Sequence, residues 1–255
     1  MSSDSRPEVS LFFPVYNDEK TVERVCGKSI EVLTQLCKNW EVIIINDGSP
    51  DNSGAIADQI AANNPNVRVI HHETNKGYGA AIRRGLAESR GEIIFFTDGD
   101  DEYDVYEFLR IFKLKDFYDL IITFRYKKLY SSKRIFISYV YNAIFRFVFD
   151  TPYRDISTGL RAIRKSLVND LNLVSNSPFI GAELTLKSKL KGYRIGEVGI
   201  QTFPRDFGKG SSTTWKNIFS TIKEMIRTYN EVFSDDYDLP QNRKRANIGE
   251  SATQK

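Results

Sequence analysis

A chain of 255 residues with a formal net charge of +3 suits one large α/β domain or two small ones, and is too weakly basic to argue for nucleic acid as a partner. Its two cysteines, Cys26 and Cys37, fall on one predicted helix about 16 Å apart along the axis, beyond the roughly 7 Å that a disulfide tolerates, which fits a reducing cytosol. The opening MSSDSRPE has no apolar stretch of signal-peptide type, and no window reaches the roughly 20 apolar residues of a membrane span, so a cytoplasmic protein is expected.

Residues 1–8 are expected to be disordered. Val9–Phe13 is an apolar run closed by Pro14 and reads as a buried strand. Asp18 to Cys37 has helical periodicity through Val22, Val25, Ile30, Leu33 and Leu36. Glu41–Ile45 is the next strand, stopped by the turn signal Asn46-Asp47-Gly48-Ser49-Pro50. A helix over 53–63, a strand over 67–71, a helix over 79–89 and a strand over 92–97 follow, and Leu120–Phe124 is a fifth strand. Alternation with continuously apolar strands predicts an α/β fold, a mostly parallel sheet with helices on both faces. Beyond a basic and aromatic stretch at 127–150 come a turn and short apolar segment at 155–165, a helix at 183–191 and a strand at 194–203. Thr214–Phe233 has the three-and-four spacing of an amphipathic helix. The polar, aperiodic residues 234–255 are expected to be disordered. The halves 9–125 and 126–233 are taken as parts of one domain.

The sharpest chemical feature is Asp98-Gly99-Asp100-Asp101-Glu102, directly after a buried strand. Ligands of open parallel sheets bind at the carboxyl ends of strands, and carboxylates there suit Mg²⁺ or Mn²⁺ shared with substrate phosphates. A solvated acidic turn is the plain alternative. Asp47 also follows a strand, where a carboxylate can accept hydrogen bonds from a base or ribose, or simply make a turn. Pro14-Val15-Tyr16-Asn17-Asp18 closes the first strand and could equally be a helix-capping segment. Asn75-Lys76-Gly77-Tyr78-Gly79 precedes a helix carrying Arg83 and Arg84; its glycines would let a backbone approach phosphate, or would serve only as a helix-entry turn. The spacing is not that of the dinucleotide fingerprint.

Taken together and in this order, FFPVYND, IINDGSPD, NKGYGAAIRRG and FFTDGDDE resemble the family 2 glycosyltransferases of the GT-A fold, over about Val9 to Phe233. The resemblance implies transfer of a sugar from a nucleotide diphosphate donor of GDP-mannose or UDP-glucose type. It implies that Pro14, Tyr16, Asp18 and Asp47 hold the nucleotide, with Asn75, Gly77 and Arg83 beside it, and that Asp98 and Asp100 bracket the metal and diphosphate. Glu102 stands where a metal-binding Gln often occurs. The second half is similar to polyprenyl-phosphate hexosyltransferases such as the dolichol-phosphate mannosyltransferases. The matching residues are Arg125, Arg134, Ser138, Asn142, the segment DISTGLR at 155–161, Glu183-Leu184 and Arg205-Asp206-Phe207-Gly208. Two departures are Gly210 in the subgroup's Ser place and the lack of the membrane spans that many relatives carry.

Read from its residues alone, 134–149 puts Arg134, Ser138, Asn142 and Arg146 on one polar stripe of an otherwise apolar helix. Such a stripe can hold a phosphate or merely face water. A polyprenyl phosphate acceptor is already an anion and needs no base. A glycan hydroxyl acceptor does need one, with Asp155 or Glu183 as candidates. A catalytically silent nucleotide-sugar-binding protein is the third reading. The two aromatic helical segments predict peripheral membrane contact or a homo-oligomer contact.

Overall fold

The computed structural model describes residues 6–127, 132–204, 214–234 and 237, without the side chains of 133, 134, 215 and 216. Its centre is a sheet of seven strands in the order β3-β2-β1-β4-β6-β5-β7. The strands are β1 (Val9–Val15), β2 (Trp40–Asn46), β3 (Val67–His71), β4 (Ile93–Phe96), β5 (Leu120–Arg125), β6 (Arg161–Arg164) and β7 (Ile195–Ile200). β1 to β4 pair in parallel, as do β5 and β7, whereas β6 runs antiparallel to both of its neighbours.

The continuous apolar runs are explained by burial on both faces. Leu11, Phe13, Val42, Ile44 and Phe95 point to one side, where they meet α1 (Val22–Leu36), α2 (Ser53–Asn63) and α4 (Glu107–Ile111). Phe12, Ile43, Ile45 and Phe96 point to the other, against α3 (Tyr78–Glu88), α6 (Lys165–Asp170) and α7 (Ile180–Leu190). A smaller cluster joins α5 (Ser132–Phe149) and α8 (Trp215–Val232) to α7 through Phe145, Phe149, Phe179 and Val232. Cys26 and Cys37 are both free thiols.

Two expectations change. Within the start expected to be disordered, residues 6–8 are placed against the fold: Glu8 N donates to Asn39 O at 2.8 Å and Arg6 Nε donates to Arg90 O at 2.6 Å. The stripe on α5 is not simply a wet face: Asn142 is buried, its Oδ1 accepting from Ile156 N at 3.0 Å. Residues 1–5, 128–131, 205–213, 235, 236 and 238–255, which include Arg205, and the Arg134 side chain lie outside the described residues.

Candidate active site

Because β1, β2, β4 and β5 share one direction, Val15, Asn46, Phe96 and Arg125 all end on the same edge of the sheet. β6 runs the other way, so its beginning lies on that edge, with Arg161 opposite Phe96. The segment 155–160 therefore crosses the edge from the end of β5 to the end of β4. This topology brings together pieces that are far apart in sequence.

The acidic loop after β4 is anchored by its own backbone. Gly99 O accepts from Thr21 Oγ1 at 2.7 Å, and a Cβ on Gly99 would lie 2.4 Å from Pro14 O. Only glycine lets the loop settle on the end of β1. Asp98 Oδ1 accepts from Tyr78 Oη at 2.7 Å. Burial first, and the Asp98 carboxylate second, push the Tyr78 hydroxyl well above its ordinary pKa, so it stays a donor. Asp100 Oδ1 accepts from Glu102 N at 3.1 Å. Asp101, in the left-handed region at φ 59°, turns to α1 and pairs with Arg24 at 2.5 Å and Lys28 at 2.9 Å.

Asp98 and Asp100 are hard oxygen donors at a strand end, both partly exposed. Beside Asp98 lies Gly159, where a Cβ would stand 2.3 Å from the Asp98 Oδ2 atom. A pair of partly exposed carboxylates at a strand end fits an ion of the Mg²⁺ or Mn²⁺ kind, which takes one or two protein carboxylates and completes its shell with phosphate and water. Glu102 stands two residues beyond Asp100. It is buried, and among the described residues no three His, Cys, Asp or Glu side chains form a metal cage.

Other carboxylates prove to hold the protein's own loops. Asp47 is buried; its Oδ1 accepts from Lys76 N and lies 2.6 Å from His72 Nδ1, while its Oδ2 accepts from Gly77 N. It shapes the loop that carries Asn75 and Gly77. Gly77 sits at φ 94°, a backbone state that favours glycine, and begins the turn into α3. Asn75 is exposed, as is Tyr16, whose N donates to Asp18 Oδ2 at 3.0 Å. Arg83 Nη2 donates to Asn176 Oδ1 in the loop before α7.

Asp155, expected as a possible base, is buried and paired with Arg125: Arg125 Nε lies 2.8 Å from Asp155 Oδ2, and Arg125 Nη2 donates to Ser157 Oγ at 2.9 Å. Glu183, the other candidate base, is fully buried. It accepts from the amides of Val174 and Ser175 and pairs with Lys187 at 2.8 Å. Burial alone would raise its pKa, but Lys187 and the Ser175 donors hold it below the ordinary Glu value. Each carboxylate is thus engaged by a neighbouring cation, Asp155 by Arg125 and Glu183 by Lys187. Ser138 is half-buried on α5, and its carbonyl accepts from Asn142 Nδ2 at 2.9 Å.

The model of glycosyl transferase family 2 matches residues 10–171, which takes in the strand-end loops, the acidic motif and the 155–161 segment. The chain belongs to glycosyl transferase family 2. It is 24% identical over 238 residues to glycosyltransferase AglD of Haloferax volcanii, covering 87% of this chain but only 37% of AglD, so it spans about a third of that relative's length. It is 28% identical over 211 residues to polyprenol monophosphomannose synthase of Mycolicibacterium smegmatis, covering 78% of each. Glucosyl-3-phosphoglycerate synthase of Mycobacterium tuberculosis, solved with Mn²⁺, UDP and phosphoglyceric acid, superposes with a TM-score of 0.65 at 18% identity, over 89% of this chain and 78% of that one.

Within the matched region, the role of one residue was not legible in the sequence. Arg161 is fully buried without a carboxylate partner. Its guanidinium donates to the carbonyls of Ile156, Thr158 and Gly181 and to Thr185 Oγ1, pinning the 155–161 segment from beneath. An arginine flanked by apolar residues was the only signal.

Proposed function

We propose that this transferase moves a hexose, with inversion, from a nucleotide diphosphate sugar of GDP-mannose or UDP-glucose type to a polyprenyl phosphate. In this reading residues 9–125 form the donor half and 126–233 the acceptor half. The acceptor oxygen attacks the anomeric carbon as the bond to the diphosphate breaks, and the nucleoside diphosphate leaves with the bonding pair. A divalent ion held by Asp98, Asp100 and the diphosphate would offset the charge gathering on the leaving group. The exposed Tyr16 ring and the loop held by Asp47 offer the nucleotide a face and a backbone to lie against. Arg125, Arg134, Ser138 and Arg205 are the residues assigned to the acceptor phosphate.

The observation that carries this reading is the state of the two candidate bases. Asp155 is locked to Arg125 and Glu183 to Lys187. A hydroxyl acceptor would need one of them to take a proton, whereas a phosphate acceptor needs only to be positioned. The likeness to the polyprenol monophosphomannose synthase supports the same choice. The phosphoglyceric acid bound by the structural neighbour favours, as the second reading, a small or glycan acceptor.

A lipid acceptor brings the protein to a membrane. No helix among the described residues is long and apolar enough to cross one. Instead α5 and α8 lie side by side, with Phe149 and Tyr229 ring centroids 6.1 Å apart. Outward they carry Phe136, Phe147, Phe219 and Ile226, with Phe147 89% exposed. We assign this face to the membrane interface of a peripheral cytoplasmic protein. The protein is expected to float with anionic liposomes, more strongly when they contain undecaprenyl phosphate, and Phe147→Asp should weaken flotation without lowering the melting temperature. A stable dimer that does not float would assign the face to a contact between copies. A monomer that does not float would remove the membrane reading.

A further inference from the structure

The Asp98 carboxylate is bounded by two residues that no reading of the sequence singled out for it. On one side Tyr78 Oη donates to its Oδ1 at 2.7 Å. On the other, a Cβ on Gly159 would lie 2.3, 2.4 and 2.5 Å from Oδ2, Cγ and Oδ1 of that carboxylate. Gly159 is not among the glycines with positive φ, so space and not backbone conformation bars a side chain there.

Both walls are fixed from behind. Tyr78 opens α3 directly after Gly77, whose amide is held by Asp47 Oδ2 at 2.9 Å. Gly159 lies between Thr158 and Leu160, which bond across to β5: Thr158 Oγ1 donates to Thr123 O at 2.8 Å, and Thr123 Oγ1 donates to Leu160 O at 2.9 Å. Arg161 braces the same segment through its bonds to the Ile156, Thr158 and Gly181 carbonyls. A hydrogen bond on one oxygen sets the rotation of a carboxylate, and a second wall limits its swing. Groups that orient a metal-binding side chain in this way matter nearly as much as the ligand itself.

We propose that Tyr78 and Gly159 are positioning residues that aim the Asp98 carboxylate at the divalent ion and the donor diphosphate; this rests on the assignment of Asp98 given above. The two act by different means. Tyr78→Phe removes the bond and keeps the ring. Gly159→Ala adds a methyl group whose collision is with the far end of a short side chain, so the fold can absorb it by letting the carboxylate turn away. The lesion falls on the aim of Asp98 and not on the core.

The test is Mn²⁺ binding, followed by the electron paramagnetic resonance of free Mn²⁺, with saturating UDP and separately with GDP. Wild type, Asp98→Asn, Tyr78→Phe and Gly159→Ala are compared, with melting temperatures alongside. Asp98→Asn is expected to lose the site. Tyr78→Phe and Gly159→Ala should each weaken Mn²⁺ binding roughly 10- to 100-fold, the usual cost of an outer-shell change, with melting temperatures near that of wild type. Adding either substitution to Asp98→Asn should cost nothing further. If Asp98→Asn binds Mn²⁺ like wild type, the metal assignment of Asp98 fails. If Asp98→Asn loses binding while Tyr78→Phe and Gly159→Ala both retain it, the positioning proposal fails and the metal assignment stands.

Discussion

Asp100→Ala is expected to lower sugar transfer by about 10³-fold or more while leaving the fold intact. Neutralising a leaving diphosphate is worth several kcal/mol, and about 4 kcal/mol corresponds to three decades in rate. The structural cost is small, because the hydrogen bond to Glu102 N at 3.1 Å lies within a local turn at a partly exposed position, worth about 0.5–1.5 kcal/mol. Asp101→Ala is the matched control. It removes the pairs to Arg24 and Lys28 and should lower the melting temperature, with transfer far less affected than in Asp100→Ala. Initial rates with added Mn²⁺, and again with excess chelator, make the comparison. Full activity in Asp100→Ala, or in chelator, would remove the metal from the mechanism.

Arg125→Lys is expected to reduce kcat/KM for the acceptor roughly ten- to a hundredfold, with donor affinity unchanged. The guanidinium spans Asp155 Oδ2 and Ser157 Oγ at once, a fork that an ammonium cannot reproduce. A hydrogen bond to a charged group contributes on the order of 1.5–3 kcal/mol, and each 1.4 kcal/mol is about one decade. The substitution keeps a positive charge beside the buried Asp155, which limits the loss of stability that full removal would cause. Donor affinity by calorimetry and acceptor kinetics are measured separately. Loss of donor affinity with unchanged acceptor dependence would place Arg125 on the diphosphate. No change in either would leave it a structural partner of Asp155.

The half of the fold assigned to the donor was largely legible. Buried parallel strands read as apolar runs, and β1 to β4 each give way to polar or turn-forming residues. β6 was not legible: four residues, Arg-Ala-Ile-Arg, carry no periodicity, and Arg161 looks like a surface residue until its carbonyl partners are known. α4, with five residues, was missed for the same reason. In the site, the acidic motif was visible because its chemistry is local. What a carboxylate binds is not local. The partners of Asp47 lie 29 and 30 residues further on, and Arg125 meets Asp155 across 30. Only Glu183 carried a readable sign of its structural role, Lys187 one helical turn away. Nothing in the sequence joined Tyr78 or Gly159 to Asp98, because one contact is made from the start of α3 and the other by the crossing of the 155–161 segment over the end of β4.

The measurement that bears most directly on the central claim is sugar transfer across a panel of nucleotide sugars, with and without a short polyprenyl phosphate, in the presence of Mn²⁺ or Mg²⁺. The structure and its relatives lead us to expect one donor, of GDP-mannose or UDP-glucose type, to give a polyprenyl phosphosugar with inverted anomeric configuration. Transfer to a glycan or small hydroxyl acceptor, with none to the polyprenyl phosphate for any donor, would contradict it.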